Sequence, residues 1–225
     1  MHIVKSLVVT AFAAALSTAA LAGCTSGDSG GEGGGGAGGS GSTTTSSASA
    51  APLGGEDLAG HWMTEGCEAY PNGQGGTNYL TRDFTLTEST WDLTFTLFGD
   101  EGCTVALFSA KIHGPYTLGA LSAKVEGATE GQFAFETNEW TALTADMASA
   151  FTGAGCGSGA WEVGVAEDVT ETGCIGVAHP VAECPEEYDV VAVDGDALYF
   201  GQRITDMCKE DGRPAALNTY AVYRK

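Results

Sequence analysis

Seven cysteines, four histidines and 29 carboxylates are the side chains of this 225-residue chain that could carry chemistry. Six of the cysteines, Cys67, Cys103, Cys156, Cys174, Cys184 and Cys208, lie beyond residue 60. A zinc site asks for close Cys-x-x-Cys or Cys/His pairs. The tightest spacing within this set is Cys174 to Cys184, so no metal is expected. An even number in an exported chain reads as three disulfides, with the pairing left open by spacing alone. His61, His113 and His179 stand far apart and share no ligand spacing; such lone histidines are read as structural or exposed. No Gly-x-Ser-x-Gly nucleophile elbow occurs. Counting does not separate a glycosidase-like carboxylate pair from a solvated acidic face, and on a chain this acidic the second reading is preferred. Glu183, Glu186, Glu187 and Asp189 crowd together without the spacing of a calcium loop. These patterns predict neither a cofactor nor an enzyme.

The charge balance narrows the partners. Nine Lys+Arg against 29 Asp+Glu give a net charge of −20. Nucleic-acid recognition needs clustered cations and is not expected, nor is direct adsorption to an anionic membrane surface. Residues 1–23 begin with Lys5 and continue through an uncharged, alanine-rich apolar run that is short for a membrane span. The run ends Leu21-Ala22-Gly23-Cys24, which resembles the lipobox of bacterial lipoprotein signals. That resemblance implies cleavage before Cys24, acylation of Cys24 and attachment to a membrane of the bacterial cell envelope. Thr25, rather than Asp, after the cysteine points to the outer membrane by the enterobacterial sorting rule. Two or three acyl chains would hold lastingly, where one holds only marginally. Residues 24–54 read as a lipidated cysteine and a flexible Gly/Ser-rich tether; 12 of the 34 glycines lie between Thr25 and Gly55. Thirty such residues reach about 30 Å. Their glycine run lacks the Lys-Ser/Thr pair and the preceding strand of a phosphate loop.

Residues 55–225 then form the folded part, and its pattern is β. In Trp91–Phe98, Leu93, Phe95 and Leu97 alternate with threonines. Extended runs of the same kind are Tyr79–Thr87, Thr104–Ile112, Gln132–Thr137, Ala160–Val165, Tyr188–Val193, Ala197–Arg203 and Thr219–Arg224. They are rich in Thr, Val, Tyr and Phe, which suit a pleated, half-buried surface. Asp194-Gly195 marks a hairpin turn. One helix is expected where Leu143, Met147 and Phe151 recur at i, i+4, i+8, with Thr141 as its cap. Many strands with one short helix predict an all-β, disulfide-stapled antiparallel β-barrel, lipocalin-like in general shape.

Certain of these residues carry a more specific likeness. Gly60-x-Trp62, Cys67-Glu68, Leu80-Thr81-Arg82, Trp91 and Asp100 before Cys103 resemble the opening of the adenomatosis-polyposis-coli-down-regulated domain. The likeness continues through Gly114-Pro115-Tyr116, Cys156–Ala178 and Glu187–Arg203. Animal members of that family are membrane-anchored Wnt antagonists with two tandem copies; this chain has one. The resemblance implies a β-barrel-like fold with an apolar cavity that takes lipid, and the pairs Cys67–Cys103 and Cys156–Cys174, which leaves Cys184 and Cys208 for each other. No Wnt partner is expected for a bacterial chain.

On that reading the barrel of an envelope-anchored lipoprotein binds an acyl chain or similar apolar ligand. Trp91, Phe95, Phe108, Phe133 and Phe135 are the expected lining, since a lipid pocket needs apolar area with few polar groups. Arg82 is expected to point inward, neutralised by Glu68. The alternative is a surface module that binds another envelope protein with a packed, ligand-free barrel, because small barrels are usually filled by their own side chains.

Overall fold

The computed structural model describes residues 51–71, 76–174 and 178–225. The expected leader, Cys24 and the tether as far as residue 50 lie outside the described residues, as does part of the loop after Pro71. Eleven strands, two α-helices and one 3-10 turn at Glu210–Gly212 are found among those described. The strands are β1 (Gly60–Met63), β2 (Glu68–Pro71), β3 (Thr77–Leu86), β4 (Thr90–Phe98), β5 (Ala106–Leu121), β6 (Thr129–Ala134), β7 (Thr137–Ala142), β8 (Ala166–Asp168), β9 (Glu186–Asp194), β10 (Ala197–Phe200) and β11 (Val222–Arg224). The helices are α1 (Gly55–Leu58) and α2 (Ala145–Ala154). No helix among the described residues is long and apolar enough to cross a membrane.

Eight strands close on themselves in the order β1-β3-β4-β5-β6-β9-β10-β11 and back to β1, every pairing antiparallel. This is the predicted barrel. Alternation along each strand decides what it encloses. Phe84 and Leu86 of β3 stand opposite Leu93 and Trp91 of β4, all four buried. Around the circle Tyr116, Phe133, Val191, Leu198, Phe200, Val222 and Trp62 complete the same core.

β5 is the strand that belongs to two sheets. Residues 108–113 pair with β7, and from Tyr116 onward the same edge pairs with β6. The changeover falls at Gly114-Pro115. A side chain at Gly114 would collide with the Ala134 carbonyl, so the end of β6 can approach β5 only at a glycine. After this point that edge of β5 closes the barrel through β6; before it, the same edge carries β7 and β8 while the other edge stays paired with β4. On the sheet face that lines the barrel lower down, α2 packs on this upper part. Phe151 meets Phe108, Trp140 and Trp161 at ring separations of 5.3, 5.4 and 4.7 Å. Phe95 packs against both this cluster and the barrel core and joins them.

The lower end is sealed. Leu53 and Leu58 pack into the core, and the Trp62 indole donates to the Leu58 carbonyl at 2.8 Å. Arg224 lies over the Trp62 ring at 4.2 Å and donates to the carbonyls of Ala59 and Asp57. The folded region therefore already includes Leu53, whose N–H donates to Thr129 Oγ1, within the stretch read as tether. Three disulfides are present: Cys67–Cys103 ties the β1–β2 link to the β4–β5 turn, Cys156–Cys174 fastens the end of α2, and Cys184–Cys208 joins the approach to β9 to the chain after β10.

Local expectations were corrected at three places. Ala160–Val165 is not a strand. Trp161 turns under α2, its N–H donating to Thr152 Oγ1, and Gly164 takes a positive φ at a turn closed by Val165 N–H to the Glu162 carbonyl. The helix is capped by Thr144, whose hydroxyl accepts from the Met147 N–H; Thr141 lies in β7. β7 beyond Thr137 and the short strands β1, β2 and β8 stand outside the expected runs; Thr137–Ala142 carries four polar residues in six, and the others are three or four residues long.

Candidate functional site

The barrel interior is the first place to seek a site, and the expected lining residues fall within or beside it. Trp91 and Phe133 lie 5.6 Å apart, and Phe135 approaches Trp91 at 5.7 Å. Phe133 also meets Tyr116 at 5.5 Å and Phe200 at 5.8 Å, while Phe200 stacks on Phe84 at 4.8 Å. The Trp91 indole donates to the Ala134 carbonyl. The structure thus brings Trp91, Phe133 and Phe135 together. Phe108 instead stacks on Trp140 at 5.2 Å beneath α2, and Phe95 bridges the two groups. Trp62, Trp91, Phe84, Phe133 and Phe200 are all buried against one another or their neighbours. Rings at these separations are in contact with one another across the barrel.

Charge caps the upper end of that aromatic column. By strand alternation Arg82 shares the face of Phe84 and Leu86, and its guanidinium stands 5.9 Å from the ring centres of both Phe84 and Phe200. Its Nε donates to Glu68 Oε1 and Oε2 at 3.0 and 3.1 Å, and its Nη2 donates to the Tyr220 carbonyl at 3.0 Å. The side chains are 12% and 3% exposed. Tyr70 completes the Glu68 carboxylate with a 2.6 Å hydrogen bond and in turn accepts one from Asn218 Nδ2. Burial pushes the Tyr70 phenol upward, against the pull of Arg82, which keeps it a neutral donor. The Glu68–Arg82 pair thus links β2 to β3 and both to the chain leading into β11.

A second charged group, which the sequence reading had treated only as a crowd of acids, lies beside the first. Glu187 and Asp189 occupy alternate positions of β9 on the face shared by Val191. Arg203 pairs with Glu187 at 2.6 Å. Asp189 Oδ1 accepts from the N–H groups of Val190 and Gly201 at 2.7 and 2.9 Å. A side chain at Gly201 would strike that oxygen, so glycine is required there. Arg213 donates to the carbonyls of Gly131 and Asp189 and lies over the Tyr188 ring. Burial raises the Asp189 pKa to about 6, opposed by Arg203 and the two N–H donors. Glu183 remains at the surface, beside His179. The period-two pattern Glu187-x-Asp189-x-Val191 was the available signal for two inward carboxylates. Their arginine partners come from distant stretches of chain and had no local signature.

A notch of about 190 Å³ opens next to Glu68, between Thr64–Glu68 and Thr219–Tyr223. A shallower groove of about 490 Å³ runs along α2, lined by Ala145, Ala148, Ser149, Thr152, Gly153, Trp161 and Val163. His61 and His113 pair with the half-exposed surface carboxylates of Asp83 and Asp92. No group of three or more His, Cys, Asp or Glu among the described residues is placed to hold a metal ion.

A closed antiparallel barrel with a charged cap and surface concavities defines a β-barrel module of the ligand-binding or interaction kind. The family model described as Adenomatosis polyposis coli down-regulated 1 matches residues 43–158, just over half of the chain. The chain belongs to that family. The match spans β1 through β7 and α2, so β9, β10 and β11, which close the barrel, lie beyond it.

Two measurements probe this cap. Glu68→Gln and Arg82→Met should each lower unfolding free energy by about 3–5 kcal/mol by stranding the other charge. The double variant should lose clearly less than their sum in urea titrations; additive losses would mean that the pair is not coupled. For Asp189 the folded pKa lies above the unfolded one. Its contribution to stability is therefore fullest below about pH 4, falls as pH rises toward 6, and is level above that. Asp189→Asn should remove this fall, shifting the wild-type-minus-variant stability difference by on the order of 2–3 kcal/mol between those pH values. A constant difference across the range would contradict a buried, proton-retaining Asp189.

Proposed function

We propose that this chain is a non-catalytic, membrane-tethered interaction module of the bacterial cell envelope, whose barrel is packed with its own side chains and whose recognition takes place on its outer surface. The observation that carries this reading is the aromatic column. Trp62, Phe84, Trp91, Phe133 and Phe200 are each less than a tenth exposed and belong to one core cluster, which supports an interior closed by the chain's own side chains. Both notable concavities, the notch and the α2 groove, are lined by other residues than these. This favours the protein-binding alternative over the lipid carrier that the family likeness implies. Export and tethering rest on the Leu21–Cys24 motif and the glycine-rich stretch after it.

Full-length chain carrying Cys24→Ser, exported and purified without detergent, should show no bound lipid by native mass spectrometry. A fluorescent long-chain fatty acid should give no saturable signal. One lipid per chain, displaced by the fatty acid, would return the barrel to the carrier reading. The tether is tested separately: cells fed an alkyne-tagged palmitate should label the wild-type chain and not the Cys24→Ser variant. Equal labelling of both would remove Cys24 as the anchor.

A further inference from the structure

We infer that the groove between α2 and the Trp161–Val165 turn is a docking surface for an extended, cationic segment of a partner protein that alternates apolar and basic side chains. This rests on the interaction-module reading and names its site and the chemistry of its partner. The floor of the groove is apolar and low. Ala145, Ser149 and Gly153 follow one another at intervals of four along α2, Ala148 and Thr152 lie beside them, and the Trp161 ring forms the far wall. A helix face so short of side-chain bulk lets a partner backbone come close.

Val163 lines the groove and is 52% exposed; Val165, at the end of the same turn, is 44% exposed. The fold has no need to expose them. Phe151, Trp161 and Val169 already fill the core beneath, so neither valine serves the packing of this chain. Two branched apolar residues facing water beside an apolar groove are what a docking surface would hold in the free protein.

Charge selects the occupant. From Val125 to Gln202 the chain carries fifteen Asp and Glu and no Lys or Arg. At the groove itself Asp146 follows Ala145, and Glu162 stands between Trp161 and Val163, both exposed. Glu167 lies just past the turn and accepts from Ser158 Oγ. The neighbouring Lys111 stands opposite Glu139, at exposed positions alternating with the buried Ala110 and Trp140 that face α2. A floor of small, uncharged side chains next in sequence to the exposed carboxylates of Asp146 and Glu162 would repel an acidic segment and would give a purely polar one few apolar contacts. It fits a segment whose alkyl groups meet Val163 and Trp161 while its lysines or arginines reach the rim.

The test is a titration of isotope-labelled full mature chain carrying Cys24→Ser with an alternating Lys-Val peptide and, as control, a Lys-Ser peptide of equal length and charge. Amide shifts should concentrate in residues 145–153 and 161–168, with the Lys-Ser peptide weaker by about tenfold or more. Val163→Ser with Val165→Ser, both at exposed positions, should bring the Lys-Val affinity down to that of Lys-Ser while leaving the remaining spectrum in place. Equal affinities for the two peptides, shifts scattered over the acidic surface, or indifference to the valine substitutions would each overturn the proposal. Its failure is separable from failure of the broader reading: a lipid found in the barrel would remove the interaction module, whereas a lipid-free chain with an inert groove would remove only this site.

Discussion

The rest of the molecule depends on the filling of a small barrel by rings. An eight-stranded barrel has an interior just wide enough for side chains, and here six aromatic residues, Trp62, Phe84, Trp91, Tyr116, Phe133 and Phe200, make up half of its buried core cluster. A buried aromatic ring removes about 150–250 Å² from water, so these contacts are the main apolar contribution of the domain. They also constrain its neighbours. Rings this large, stacked or set edge to face, need glycines where backbones must come close, as at Gly114. They leave the two ends of the column to be closed by something other than strands. Below, α1, Leu53 and the Arg224–Trp62 stack do this. Above, two different covers share the work: α2 on one side and the charged group on the other.

The charged cover is the costlier choice in free energy. Moving carboxylates and guanidiniums out of water costs several kcal/mol per ion, and only complete pairing offsets it. The structure meets that condition. Glu68 takes Arg82 and Tyr70, Glu187 takes Arg203, and Asp189 takes two backbone N–H groups. No buried side-chain nitrogen or oxygen among the described residues lacks a partner. Such pairing is directional, as ring packing is not. Arg82 can satisfy Glu68 and the Tyr220 carbonyl only with β2, β3 and the chain before β11 in one register. The cap therefore fixes the relative placement of short strands that have little apolar area of their own to hold them.

How much of this was legible follows from which interactions are local. Trp91–Phe98 announces a strand because the pleat alone imposes its alternation, and its partners β3 and the start of β5 do the same. The length of β5 was not legible, since Gly114-Pro115 reads as a stop while the fold uses it as the point where one strand changes sheets. Ala160–Val165 has strand composition, but Trp161 gains more by packing on Phe151 than by joining a sheet. Thr144 displaces Thr141 as the helix cap because Thr141 is held by β7, whose own polar positions hid it. Glu68 and Arg82 were found through a family likeness, while Arg203 and Arg213 were not, since nothing in a single strand says which distant cation will stand beside Glu187 or Asp189. The aromatic residues were named correctly as inward candidates in part, yet whether rings line a hollow or fill it is a property of their mutual distances and not of their spacing in the chain.

The two ends of the barrel also differ in what they offer. The chain comes into the fold at the sealed end, through Leu53 and α1, beside the β3–β4 turn. The α2 layer, the Cys67–Cys103 bridge and the notch beside Glu68 all belong to the opposite end, near the β4–β5 turn. The sealed end is thus where residues 51–58 join the barrel, and the grooves lie at the other end. Strand order alone produces this separation, because β5 carries the chain from the upper sheet down to the seal and β6 begins there. The topology sets the notch and the α2 groove at the end remote from where residues 51–58 join the barrel.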